Sequence, residues 1–153
     1  MKYLLIVFII ILGFLLIKCL PIESFSVVSN DYIHPHAIIN KSTINGGGRG
    51  IFATKDYKEG EIIEICPCIK TETALIEGKC RDYLFGFDDE TSLIGFGYCS
   101  IYNHSDDYNA RWEVIDEYKI KIIAEKNIIA GEEIFVSYGD LYWEGRSHYL
   151  KKN

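Results

Sequence analysis

After residue 22 no long stretch carries a helical hydrophobic period, and this constrains the fold of the chain more than any other feature. From His36 onward, short β-branched and aromatic runs alternate with Gly, Asn, Asp and Ser. Ala37–Asn40, Gly50–Ala53, Glu61–Cys66, Leu93–Gly97, Arg111–Ile115, Lys119–Ala124 and Glu133–Ser137 read as strands. Asp116-Glu117 reads as a hairpin turn between two of them. The one helical candidate is Thr73 to Phe85. Strands this short, with so little helix, point to a mainly β domain of several small sheets rather than a doubly wound sheet.

The N-terminus differs in kind. Tyr3 to Ile17 is an unbroken apolar run flanked by Lys2 and Lys18. A bilayer span needs about 20 residues. Snorkelling by Lys18 and continuation to Pro21 bring the run near that length. A hydrophobic helix is expected over 1–21, read as a single-pass anchor, with a cleaved secretory signal as the alternative. Ile22-Glu23-Ser24 is a poor cleavage site. Lysines on both flanks leave the orientation open. Residues 22–36 read as a linker, 37–146 as the folded domain and 147–153 as a tail.

Acidic residues outnumber basic ones by 22 to 16, a net charge of −6. That argues against a bulk nucleic-acid binder and is compatible with a basic peptide partner. The five cysteines, Cys19, Cys66, Cys68, Cys80 and Cys99, lack the spacing of a zinc knuckle. Free buried thiols in a reducing compartment are the expectation. Eleven Tyr and eight Phe suit a narrow channel with polar edges as well as a core.

Three segments carry the chemistry. Gly46-Gly-Gly-Arg-Gly-Ile-Phe-Ala53 lets backbone approach a ligand closely, although a hairpin turn would explain it alone. It lacks the Lys-Ser/Thr ending of a phosphate loop. Asn103-His104-Ser105 places polar groups beside an apolar stretch, where a satisfied turn is the plain alternative. Ala130-Gly-Glu-Glu-Ile-Phe-Val-Ser-Tyr-Gly139 is a strand ending in Tyr138. The sequence also repeats itself: Ala53, Lys55, Gly60, Glu61 and Ile63 match Ala124, Lys126, Gly131, Glu132 and Ile134. Each copy reads as strand, loop, Gly-Glu turn, strand; two copies are too few for a solenoid.

In this order and spacing the three segments resemble the SET-domain protein lysine methyltransferases, most nearly the short viral and bacterial SET proteins. The resemblance covers about 37–146. It implies a SET fold, several small β-sheets with a pseudoknot, and S-adenosylmethionine as cofactor. Backbone around Gly48, Arg49 and Gly50 would hold the methionine end of that cofactor. Asn103 and His104 would bind its amino group and adenine. Tyr138 would be the active-site tyrosine, and Tyr83 would line the lysine channel. Tyr142 and Trp143 would cover the adenine or close the channel.

The expected substrate is a basic protein with a target lysine, such as a histone tail. Self-association is expected because the short viral relatives work as dimers. With the apolar segment as anchor, the domain would sit at a membrane and face the cytosol; a cleaved signal would make it secreted. The competing reading is a non-catalytic, membrane-tethered SET module acting in binding or assembly. Tyr108 stands where many members have Pro, and Cys99 where a smaller residue is usual. Val136, two before Tyr138, occupies a position where an aromatic residue often limits the number of methyl groups. No cysteine-rich segment flanks the match, so no structural zinc is expected.

Overall fold

The structure, a computed structural model, describes residues 31–144 and 146. The helix expected over 1–21, most of the linker and the tail lie outside these residues. Among the described residues no helix is long and apolar enough to cross a membrane.

Among the described residues nine strands run in chain order: β1 Ala37–Lys41, β2 Arg49–Ala53, β3 Ile62–Glu72, β4 Leu84–Gly86 and β5 Thr91–Gly95, then β6 Asn103–His104, β7 Ala110–Asp116, β8 Lys119–Ala124 and β9 Glu133–Val136. A single helical turn, α1 Asp140–Trp143, comes after them. The hydrogen-bonded order is β1-β2-β9-β7-β8-β3-β5-β4, with β6 beside β9. The expected small sheets are thus joined through shared strands. β3 is the main junction: Ile62–Pro67 pairs with β8, and Cys68–Glu72 pairs with β5.

Alternation places the core. In β8, Ile120 and Ile122 are fully buried while Lys119 and Lys121 are only half-buried, and the strand ends in buried Ile123 and Ala124. Ile51, Ile63, Leu93 and Ile134 join them. Each such side chain contributes roughly 1.5–3 kcal/mol of burial. β3 breaks the alternation. A register shift between Ile62 and Glu64 leaves both Ile63 and Glu64 buried. A bulge adds one residue to one strand and re-aims the side chains beyond it.

The internal repeat folds into a two-fold pair. Tyr57 and Ile128 exchange both backbone hydrogen bonds, at 2.8 and 2.9 Å. Gly60 N–H donates to Ala124 O and Gly131 N–H to Ala53 O, both at 2.8 Å. Glu61 accepts from Lys58 N–H as Glu132 accepts from Ile129 N–H. Gly60 and Gly131 both lie at positive φ, 82° and 96°, where a side chain would be strained.

Some expectations are corrected. Thr73–Phe85 is not one helix but two 3-10 segments, Thr73–Leu75 and Gly78–Tyr83, leading into β4. Neither 3-10 segment contains a buried residue, so a longer helix here would have no face to bury. The β7–β8 turn is Glu117-Tyr118, because Asp116 still pairs with Lys119. The linker is partly structured: Ile33 exchanges two backbone hydrogen bonds with Ile65. Cys66, Cys68 and Cys99 are free and buried as expected, while Cys80 is free and exposed.

Candidate active site

β6 is only two residues long, yet it brings two distant segments together. Asn103 and His104 pair parallel with Phe135 and Val136 of β9. β2 lies antiparallel on the other side of β9. The glycine-rich segment, the Asn-His-Ser segment and the approach to Tyr138 therefore occupy adjacent rungs.

Glu133, at the start of β9, ties them. Its carboxylate accepts from Ser42 Oγ at 2.8 Å, Thr43 N–H at 2.7 Å, Thr43 Oγ1 at 2.6 Å and Asn103 Nδ2 at 3.1 Å. Burial pushes this acid up, but the Thr43, Asn103 and Ser42 donors outweigh it and hold the carboxyl below its ordinary value. Asn103 Nδ2 also donates to Arg49 O at 2.9 Å. A Cβ on Gly50 would collide with the Glu133 carboxylate, so close approach requires glycine there. Asn109 fastens the far side: its side chain accepts from Phe135 N–H at 2.8 Å and donates to Glu133 O at 2.9 Å.

Tyr138 lies just past β9. Its hydroxyl donates to Tyr102 O at 2.8 Å, and its backbone N–H donates to His104 Nδ1 at 3.2 Å. Nδ1 then acts as an acceptor, so Nε2 carries the proton facing Asp106 Oδ1 at 3.3 Å. Burial, then the Tyr142 and Tyr83 phenols, push the Tyr138 hydroxyl well above the ordinary phenol range. Tyr142 packs edge-on against Tyr138 with centroids 4.6 Å apart; Trp143 contacts His104 at 4.9 Å.

Behind this layer sits Glu64, 3 % exposed, which accepts from Tyr98 N–H at 3.1 Å and the Tyr102 hydroxyl at 3.1 Å. Burial raises its carboxyl to about 7, against the Tyr102 hydroxyl and the Tyr98 and Cys99 amides. Tyr102 thus links the Glu64 acid, through its hydroxyl, to the Tyr138 hydroxyl, through its carbonyl.

These groups surround a cavity of about 460 Å³, within the usual range for cofactor and small-molecule sites. Gly48, Arg49, Tyr83, Asn103, Tyr138 and Tyr142 line it, so six of the expected site residues meet there. Gly50, His104 and Trp143 do not. They pack against or hydrogen-bond to groups on or next to the wall. Sequence reading missed Glu64 and Glu133. Glu133 lay within the noted Gly-Glu-Glu run; Glu64 gave no signal, because strand alternation places it outward.

A β domain whose shared strands bring glycine-rich backbone, an asparagine backed by a histidine and a half-buried tyrosine to one aromatic cavity defines a class. Residues 48–139 match the SET domain, and the chain belongs to that family. It is 32% identical to the histone-lysine N-methyltransferase EZH2 of Chaetomium thermophilum, over 67% of this chain but only 8% of that protein. Among solved structures it resembles a Plasmodium falciparum protein assigned as a histone methyltransferase. There the identity is 34% and the TM-score 0.64, over 72% of this chain and 99% of that one. It also resembles the Chaetomium thermophilum Polycomb Repressive Complex 2 with H3K27me3 and H3K27M. That match has 28% identity and a TM-score of 0.58, over 71% of this chain and 15% of that one.

Proposed function

We propose that the protein is an S-adenosylmethionine-dependent protein-lysine N-methyltransferase acting on a histone-tail lysine. One observation carries the reading: the Gly48–Arg49 backbone, Asn103 and Tyr138 converge on a single cavity. The cavity fits the cofactor's chemistry. Glycine backbone offers close polar contacts, and the Tyr83, Phe85, Trp112, Tyr138 and Tyr142 rings offer π faces and edges to a sulfonium cation. When bound, the cofactor supplies an electrophilic methyl group. Asn103 spends its amide N–H groups on Arg49 and Glu133 and its backbone pairs with β9, so its side-chain carbonyl oxygen remains for the ligand.

A lysine ammonium, with an ordinary pKa near 10.4, must lose its proton before it can attack. An aromatic, water-poor channel disfavours the charge and lowers that pKa. Tyr138 does not take the proton, because its phenol is neutral at physiological pH. Its hydrogen is committed to Tyr102 O, which leaves the phenol oxygen as an acceptor that orients the amine. Holding amine and methyl in line is worth roughly 7–11 kcal/mol in favourable cases. Val136 lines the cavity without an aromatic bulk or hydroxyl, which supports addition of more than one methyl group.

The motif order supports nearness to the short viral and bacterial SET proteins, and self-association goes with that kinship. The run Tyr3–Ile17 supports a single-pass anchor with the domain in the cytosol. The test is incubation with methyl-labelled cofactor and core histones. Label on a histone lysine, lost in Tyr138→Phe, supports the reading. Bound cofactor with no transfer to any basic protein favours a non-catalytic binding module.

A further inference from the structure

Two parts of the cavity wall have little hold on the core. The Gly78–Tyr83 segment and α1 each contain no buried residue. Segments with so few buried contacts open at low local free energy. Yet Asp82 and Tyr83 of the first, and Tyr142 of the second, face the cavity.

One side chain joins them. Arg146 Nε donates to Asp82 Oδ1 at 2.9 Å, and Nη2 donates to Arg81 O at 3.3 Å. Nη1 donates to Tyr142 O at 2.6 Å, and the guanidinium lies 4.4 Å from the Tyr142 ring centroid. The pair is half-shielded, with side chains 21% and 24% exposed, so water screens it less than a surface pair. A planar fork satisfied on three sides fixes the orientation of both segments at once. Arg146 is not itself on the cavity wall.

We infer that Arg146 is a positioning residue that couples the two halves of the pocket, so that a ligand ordering the α1 side also orders the Gly78–Tyr83 wall. The inference rests on the methyltransferase reading, in which Tyr142 adjoins the cofactor and Tyr83 the lysine. Cofactor binding then builds the lysine channel before the substrate arrives. Coupling of this kind is typically worth about fivefold or more in an equilibrium.

The test is hydrogen exchange by mass spectrometry on the full chain, with and without saturating S-adenosylhomocysteine. In the wild type the ligand slows exchange at Asn103–His104, Asp140–Trp143 and Gly78–Tyr83 together. In Arg146→Ala and in Asp82→Asn, the ligand-linked protection at Gly78–Tyr83 falls at least about fivefold while that at Asn103–His104 persists. Arg146→Lys, which keeps the charge but not the fork, restores only part of it. Wild-type protection at Gly78–Tyr83 in either Ala or Asn variant overturns the inference. So does protection lost everywhere in both variants, which would make the clamp merely structural. Wild-type protection at the other two segments but not at Gly78–Tyr83 sinks the inference alone. No protection anywhere in the wild type sinks the cofactor reading with it.

Discussion

Glu64 is an acid in the wrong place for stability at neutral pH, and its replacement makes a quantitative test. Its carboxyl is raised from 4.5 to about 7 by burial, despite three hydrogen-bond donors. Because the folded protein holds this proton more tightly than the unfolded chain, acid favours the fold. The contribution is complete below about pH 4.5 and disappears as pH rises to about 7. A shift of this size corresponds to about 3 kcal/mol at 1.36 kcal/mol per unit. Glu64→Gln removes the titration and keeps an acceptor for Tyr98 N–H. Its amide nitrogen replaces the oxygen facing the Tyr102 hydroxyl, whose proton must then turn away at a cost of about 1 kcal/mol. The variant is therefore expected to be about 2 kcal/mol more stable than wild type at pH 8 and about 1 kcal/mol less stable near pH 4.5. Urea unfolding across this range measures both curves, with m values compared to check two-state behaviour. Parallel curves for wild type and variant would show that Glu64 does not titrate with folding.

The same geometry sets other outcomes. Tyr138→Phe removes the phenol oxygen but not the ring, so methyl transfer should fall by about 100-fold or more, while calorimetry finds cofactor affinity little changed. Glu133→Gln removes the charge that holds Thr43 and Asn103, and cofactor affinity should weaken by about tenfold, since a charge-assisted hydrogen bond is worth about 1.5–3 kcal/mol. Gly50→Ala drives a methyl group into a carboxylate pinned by four donors, and thermal unfolding should report a loss on the order of 3 kcal/mol. An unchanged melting temperature would mean that Glu133 can move aside.

Local chemistry was enough to read most of the strands. The β-branched run Lys119–Ala124 reads as a strand, its first four residues alternate Lys and Ile, and the structure has that strand with those bounds and with both Ile120 and Ile122 buried. The internal repeat also told true, since matching Gly-Glu turns impose the same backbone path wherever they occur. The three chemical segments could be recognised because their residue types and order are unusual together. Their convergence could not be read locally, because it depends on β6 pairing with β9 across some thirty residues. The Thr73–Phe85 error has a related cause. Helical propensity is weak, and a segment with no face to bury adopts the path its neighbours allow.

Glu64 marks the limit most clearly. By sequence it alternates outward from Ile63, as a surface acid should. The β3 bulge turns it into the core beneath Tyr102, and only the partner strand's register decides that. The sequence on its own determined which residues could make strands, turns and polar contacts, since those depend on near neighbours along the chain. The pocket, its buried acids and the Arg146 clamp depend on residues brought together from afar, so only the tertiary structure decided them.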